Sequence, residues 1–194
     1  MGKRYSKLNV LLFPMCACGL MMIETLFEQH CGECVKLKNS DGKSIVVRII
    51  DQCPECTAPH LFDLSKDAFS EMAPLSKGVV KLEYEFVPCS FKSKIVYKVH
   101  DNSNKWWMSV VVQDHNVPVK KFELKGKTGD WVTVQRKDYN EFVYESGGSL
   151  EAPLSFRVTG TNGEVITDND IVKSLYHLQW HFCVISKTIM NRQR

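Results

Sequence analysis

Two carboxylates bracket a loop rich in cysteine and proline. Asp51 closes the apolar run that ends at Ile50, and Asp63 follows Pro54 and Pro59 on the far side. A carboxyl kept protonated near neutral pH can act as general acid toward a glycosidic oxygen. Inverting hydrolysis also needs a carboxylate base, about 6.5–9.5 Å from the acid, a separation that chain spacing does not specify. The same stretch offers a second chemistry. Cys31-Gly-Glu-Cys34 and Cys53-Pro-Glu-Cys56 stand 18 residues apart, within the window for a tetrahedral zinc site of four cysteines. A third possibility comes from Trp106, Trp107 and Tyr139. Each ring offers an apolar plane of about 150–250 Å² that can cover the C–H face of a pyranose. Adjacent residues of a regular strand point to opposite faces, so both tryptophans serve one surface only at a bulge or strand end. His30 beside Cys31 is the one close Cys–His pairing and has no nucleophile signature, so a solvent-facing histidine is expected.

The chain must fold a core large enough to position these groups. Its 194 residues, 44% hydrophobic and 24% charged, suit one large globular domain or two small ones and exclude disorder. Net charge is +3, carried wholly by the second half: residues 1–93 hold 11 basic and 11 acidic side chains, residues 94–194 hold 14 and 11. That balance argues against nucleic acid as a partner. Seven of the eight cysteines lie before residue 90, with Cys183 alone beyond, so one half is cross-linked or metal-bound and the other relies on its core. Lys3, Arg4 and Lys7 precede an apolar run from Leu8 to Ile23, the order of a secretory signal. Its 16 residues are too few for a comfortable membrane span. Alternatively, Met21 to Phe27 form a core helix.

Pattern then predicts the elements. Val35–Lys38 and Ile45–Ile50 form a hairpin about Asn39-Ser-Asp-Gly42, and residues 51–60 form an irregular loop. Ser65 caps a helix reaching Met72, with Asp67 in its first turn, and Pro74 stops it. Val79–Val87 alternates as a strand. Beyond a connection at residues 90–93 the reading is all β: Ile95–Val99, Trp106–Val112, Val117–Leu124, Trp131–Gln135, Leu154–Thr159, Glu164–Thr167 and a last strand near Trp180–Ile185. Short strands divided by turn residues suggest a sandwich. Phe122, Phe156, Trp131 and Trp180 are its expected core aromatics. Lys105, Lys120 and Lys121 are expected to be solvated surface charges.

Several of these segments together resemble expansins. Cys31-Gly-Glu-Cys34-Val35, Val47-Arg-Ile-Ile-Asp51, Cys53-Pro-Glu-Cys56 and Phe62-Asp63-Leu64-Ser65 are similar to the family's first domain. Lys105-Trp106-Trp107 and Asp138-Tyr139-Asn140-Glu-Phe142 are similar to the second domain of bacterial and slime-mould expansin-like proteins. The matches keep family order from about Cys18 to about Val172. The resemblance implies an all-β fold, a double-psi β-barrel followed by an immunoglobulin-like β-sandwich that binds carbohydrate. It divides the chain into a signal or other leader (1–17), the barrel (18–89), a linker (90–93) and the sandwich (94–188).

The resemblance also implies a function. Expansins bind cellulose and associated wall polysaccharides and loosen the wall without hydrolysis. On that analogy Asp63 is the essential acid, Asp51 a groove residue, and Trp106, Trp107 and Tyr139 the polysaccharide platform. Disulfides are then expected between Cys18 and Cys31, Cys34 and Cys89, and Cys53 and Cys56, leaving Cys16 and Cys183 over. A secreted monomer with no metal, cofactor or membrane span follows. Two other readings stand beside it: glycan cleavage with Asp63 as acid, and an intracellular zinc module of four cysteines. For Asp63 the alternative role is that of helix cap near Ser65. Only 16 residues precede Ala17, and Tyr5-Ser6 does not reproduce the family's Thr-containing opening motif. The barrel is therefore expected to lack its first strand.

Overall fold

A computed structural model describes residues 6–12, 17–18, 30–52, 61–90, 92, 94–137, 140–145, 147–175 and 182–185. For residues 6–12, 17–18, 51–52, 61 and 182–185 the description is of the backbone alone. The chain divides into two compact units, Met1–Pro88 and Cys89–Arg194.

In the first unit, β1 (Ser6–Leu12), β3 (Cys34–Asn39), β4 (Ser44–Arg48), β6 (Leu61–Leu64) and β7 (Val80–Val87) form one sheet in the order β4-β3-β7-β1-β6. Two-residue strands β2 (Ala17–Cys18) and β5 (Asp51–Gln52) pair in parallel. The stretch read as a leader thus holds a strand. β1 lies between β7, antiparallel with Leu8 opposite Leu82, and β6, parallel with Leu11 opposite Asp63. The first unit is a curled half-barrel sheet, and β1 gives it a strand ahead of Ala17, where Lys7-Leu8-Asn9-Val10 alternates polar and apolar residues, the period of a strand.

The β3–β4 hairpin forms as its pattern requires. Gly42 takes a φ of 83°, which a Cβ would penalise, and the buried Asn39 side chain organises the turn. Its Oδ1 accepts the amides of Asp41 (3.0 Å) and Lys43 (2.9 Å). Its Nδ2 donates to the carbonyl of Met72 (2.9 Å), so the turn also satisfies an orphan carbonyl at the end of helix α1 (Lys66–Met72). That helix begins as expected. Ser65 Oγ accepts the Ala68 amide (3.3 Å), Asp67 lies in the first turn, and Phe69 and Met72 point into the core with Val35, Leu37, Phe62, Leu64 and Leu82. Ser65, and not Asp63, is the cap. Cys34, first in β3 and opposite Val87, is disulfide-bonded to Cys89 just beyond β7.

The second unit is a sandwich built from β8 (Val96–Val99), β9 (Met108–Gln113), β10 (Val119–Lys125), β11 (Val132–Arg136), β12 (Glu141–Tyr144), β13 (Leu154–Gly160), β14 (Val165–Val172) and β15 (Phe182–Ile185). Their order is β14-β13-β10-β11-β12-β9-β8-β15, and every pairing is antiparallel. Alternating residues of the strands converge on one core, where Tyr97 lies edge-on to Phe156 and Phe122 packs against both Phe142 and Phe156. The Tyr97 hydroxyl reaches the buried Asp168 carboxylate at 2.8 Å. Trp131 is not part of this core: it is half-buried, with the Arg157 guanidinium 4.4 Å over its ring. Trp180 lies outside the described residues.

Candidate functional site

Sheet pairing with the chain's first segments places both candidate carboxylates. Asp51 stands in β5 opposite Ala17, and Asp63 stands in β6 opposite Leu11. Asp63 is 5% exposed. Its neighbours Phe62 and Leu64 enter the apolar core, so strand alternation sends the carboxyl to the other side of β6. The side chain of Asp51 and residues 53–60, Cys53 and Cys56 among them, lie outside the description.

Cysteine geometry decides against zinc. The Cys34 sulfur is bonded to Cys89, so the first C-x2-C pair cannot present two thiolates, which zinc coordination requires. Among the described residues no three His, Cys, Asp or Glu side chains group as metal ligands. Cys31 is half-buried in the turn that leads into β3. Its expected partner Cys18 is described only as backbone, opposite Gln52, and Cys16 lies outside the described residues. Cys183 sits in β15 opposite Lys98. His30 is half-buried and not simply solvent-facing: it stacks on Phe86 at 4.7 Å, and its Nδ1 lies 2.9 Å from Glu33 Oε2.

The tryptophan pair lies just ahead of β9, where strand alternation no longer applies. Its backbone is held by one side chain. Asn104 Oδ1 accepts the amides of Trp106 (2.8 Å) and Trp107 (3.2 Å), and the Asn104 amide donates to the Trp107 carbonyl (2.7 Å). From the other side, the Leu150 amide donates to the Lys105 carbonyl (2.7 Å). Trp107 is half-buried, edge-on to His100 at 5.7 Å. Trp106 is left 59% exposed, the most exposed large apolar side chain among the described residues, with Lys105 Nζ 5.1 Å over its ring. An exposed ring of this size, fixed at its backbone, is a candidate binding plane.

The third aromatic, Tyr139, lies outside the described residues, but its neighbour Asn140 is firmly placed. Asn140 has a φ of 61° and is buried. Its Nδ2 donates to the Val112 carbonyl (2.7 Å) and contacts His115 Nε2 (3.2 Å), while His115 Nδ1 lies 3.0 Å from the Val117 carbonyl. Lys121 is not a free surface charge, since its Nζ meets Glu123 Oε1 at 2.7 Å. Sequence reasoning missed Asn104 and named Asn140 only as part of the segment around Tyr139, without a role of its own. The signal for Asn104 was available, because an Asn whose side chain accepts the amide two residues on is the usual start of an Asx turn.

Comparison with known proteins follows the same division. Residues 15–84 match the family model described as lytic transglycolase, and residues 95–172 match the expansin C-terminal domain. Expansin-YoaJ of Bacillus subtilis is 29% identical over 137 residues, 71% of this chain and 57% of that protein. Expansin-like protein 3 of Dictyostelium discoideum is 32% identical over 174 residues, 84% of this chain and 50% of that protein. The chain thus spans about half to three-fifths of the length of these curated relatives. The solved Clavibacter michiganensis expansin shares the fold, with a TM-score of 0.77 at 16% identity over 98% of this chain and 100% of that one. A point mutant of that expansin, solved in complex with cellohexaose, gives 0.79 at the same identity and coverage. With a double-psi β-barrel unit followed by an immunoglobulin-like unit, and both family models matched in that order, the chain is an expansin-like protein.

Proposed function

We propose that the protein binds cellulose and associated wall polysaccharides and loosens the wall without hydrolysing the glycan. The observation that carries this reading is the Trp106 ring, exposed and backed by a fixed backbone, next to the half-buried Trp107. Such a plane laid against the apolar face of a sugar takes apolar surface of both partners out of water. Tyr139 completes the platform in this reading, and Asp63 and Asp51 line the groove of the first unit. Relatives named expansins and the cellohexaose complex of a protein with the same fold support it. A disulfide between Cys34 and Cys89 suits an oxidising compartment, which supports action outside the cell. We take the working form to be a monomer.

The experiment is co-sedimentation with microcrystalline cellulose. The wild type is expected in the pellet, and Trp106→Ala combined with Trp107→Ala is expected to stay in solution with its unfolding midpoint unchanged. Retained binding by the folded double variant overturns the reading.

A second reading has its own observation: residues 15–84 match a lytic family model, and Asp63 is buried in β6. Glycan cleavage with Asp63 as acid would release new reducing ends or anhydro-sugars, lost in Asp63→Asn. Their absence from wild-type digests of cellulose and peptidoglycan removes that reading.

A further inference from the structure

We propose that Asn104 is the positioning residue of the glycan platform, presenting Trp106 and Trp107 in a preformed arrangement; this rests on the binding reading above. Four backbone groups of residues 105–107 are tied down. The amides of Trp106 and Trp107 converge on Asn104 Oδ1, the Trp107 carbonyl accepts the Asn104 amide, and the Lys105 carbonyl accepts the Leu150 amide. Asn104 Nδ2 in turn donates to the Asn102 carbonyl at 3.2 Å, which orients the side-chain amide so that its oxygen faces the two amides. The geometry answers a problem inherent in a Trp-Trp pair. On a continuing strand the two rings would leave on opposite faces. A single acceptor shared by consecutive amides replaces the strand with a turn, and β9 starts only at Met108.

The second tie has its own support. Leu150 is buried in the sandwich core, which fixes the donor of the bond to Lys105. The Tyr144 hydroxyl donates to the Gly148 carbonyl (3.1 Å), and a Cβ at Gly147 would collide with the Tyr144 ring. The tryptophan turn is therefore bracketed by an exposed side chain on one side and a core-anchored loop on the other. Of the two, only Asn104 can be altered without touching the core, because its side chain is solvent-exposed.

Removing Oδ1 leaves two amides to water and releases the turn to other conformations. Affinity then falls by the fraction of time the platform is formed, while the chemistry of the rings is unchanged. Asn104→Asp keeps an oxygen at the Oδ1 position for both acceptor contacts and gives up the Nδ2 donor to the Asn102 carbonyl. Asn104→Ala keeps neither.

The test measures cellulose binding and amide hydrogen exchange at Trp106 and Trp107 in the full chain. Asn104→Ala is expected to bind about tenfold more weakly, to exchange both amides faster and to keep the wild-type unfolding midpoint. Asn104→Asp keeps the acceptor without the donor and is expected to exchange both amides more slowly than Asn104→Ala and to recover part of the binding. Wild-type binding by Asn104→Ala, in parallel with loss of binding by Trp106→Ala plus Trp107→Ala, overturns the positioning role and leaves the glycan reading intact. So does binding by Asn104→Asp no better than that of Asn104→Ala. Binding retained by the tryptophan double variant overturns the glycan reading itself.

Discussion

Arg157 grips Glu123 across the β13–β10 ladder with two parallel bonds, Nε to Oε2 at 2.7 Å and Nη2 to Oε1 at 2.6 Å, while stacking its guanidinium on Trp131. The hydrogen bonds from Arg157 lead the causes that lower the Glu123 pKa from 4.5 to about 2, with Lys121 adding to them against the opposing effect of burial. A folded-state pKa below the unfolded one means stability that is full above the unfolded value and lost as pH falls toward the folded one. The second unit should therefore lose stability between about pH 4.5 and about pH 2. Glu123→Gln should lower its unfolding midpoint at pH 7 and flatten that acid limb. Denaturation monitored across this range checks it, and parallel curves for the two proteins would count against it.

Tyr97 supplies a hydroxyl to Asp168 inside the sandwich. Tyr97→Phe keeps the packing against Phe122 and Phe156 but removes this bond, at a cost of about 1–3 kcal/mol. In a unit of this size that corresponds to a fall in midpoint on the order of 5–20 °C. Calorimetry of the variant is the measurement, and an unchanged midpoint contradicts the assignment.

Ser65→Ala removes the cap of α1 and should cost the first unit about 1 kcal/mol, while Ser65→Asp should recover most of it. Urea titration of the three proteins should show a shifted midpoint with an unchanged slope, because the exposed surface on unfolding stays the same.

Replacing Cys34 and Cys89 by Ser together should destabilise the first unit by about 2–5 kcal/mol. Tryptophan fluorescence reports the second unit in this experiment, since all four tryptophans lie beyond residue 89. Far-ultraviolet dichroism follows both. An early transition seen by dichroism alone is the expected result, and coincident unshifted transitions would show that the bond contributes nothing.

Local chemistry was legible in the sequence. The hairpin about Asn39–Gly42, the Ser65 cap, the alternation of β7 and the apolar runs of the sandwich all follow from patterns within a few residues, and the structure shows each. The aromatic pair was also visible, together with its need for a strand end. What escaped was whatever depends on distant pairing. β6 is four residues long and gains its identity only from β1, some fifty residues earlier, so its apolar run carried too little signal. β1 was hard to read as a strand because flanking basic residues give its segment the charge-then-apolar order of a leader. β12, also four residues, exists because β9 and β11 lie on either side of it. Trp131 was expected inside because tryptophan is apolar, but a guanidinium from the neighbouring strand offered its ring a cover at the surface. The sequence by itself determined which residues were available for chemistry and the period of each segment, since these are properties of neighbours along the chain. Only the tertiary structure decided that Asp63 is buried in β6, that Cys34 belongs to Cys89 and not to a metal, and that Asn104 turns two consecutive tryptophans out of their strand, because each depends on groups brought together by folding.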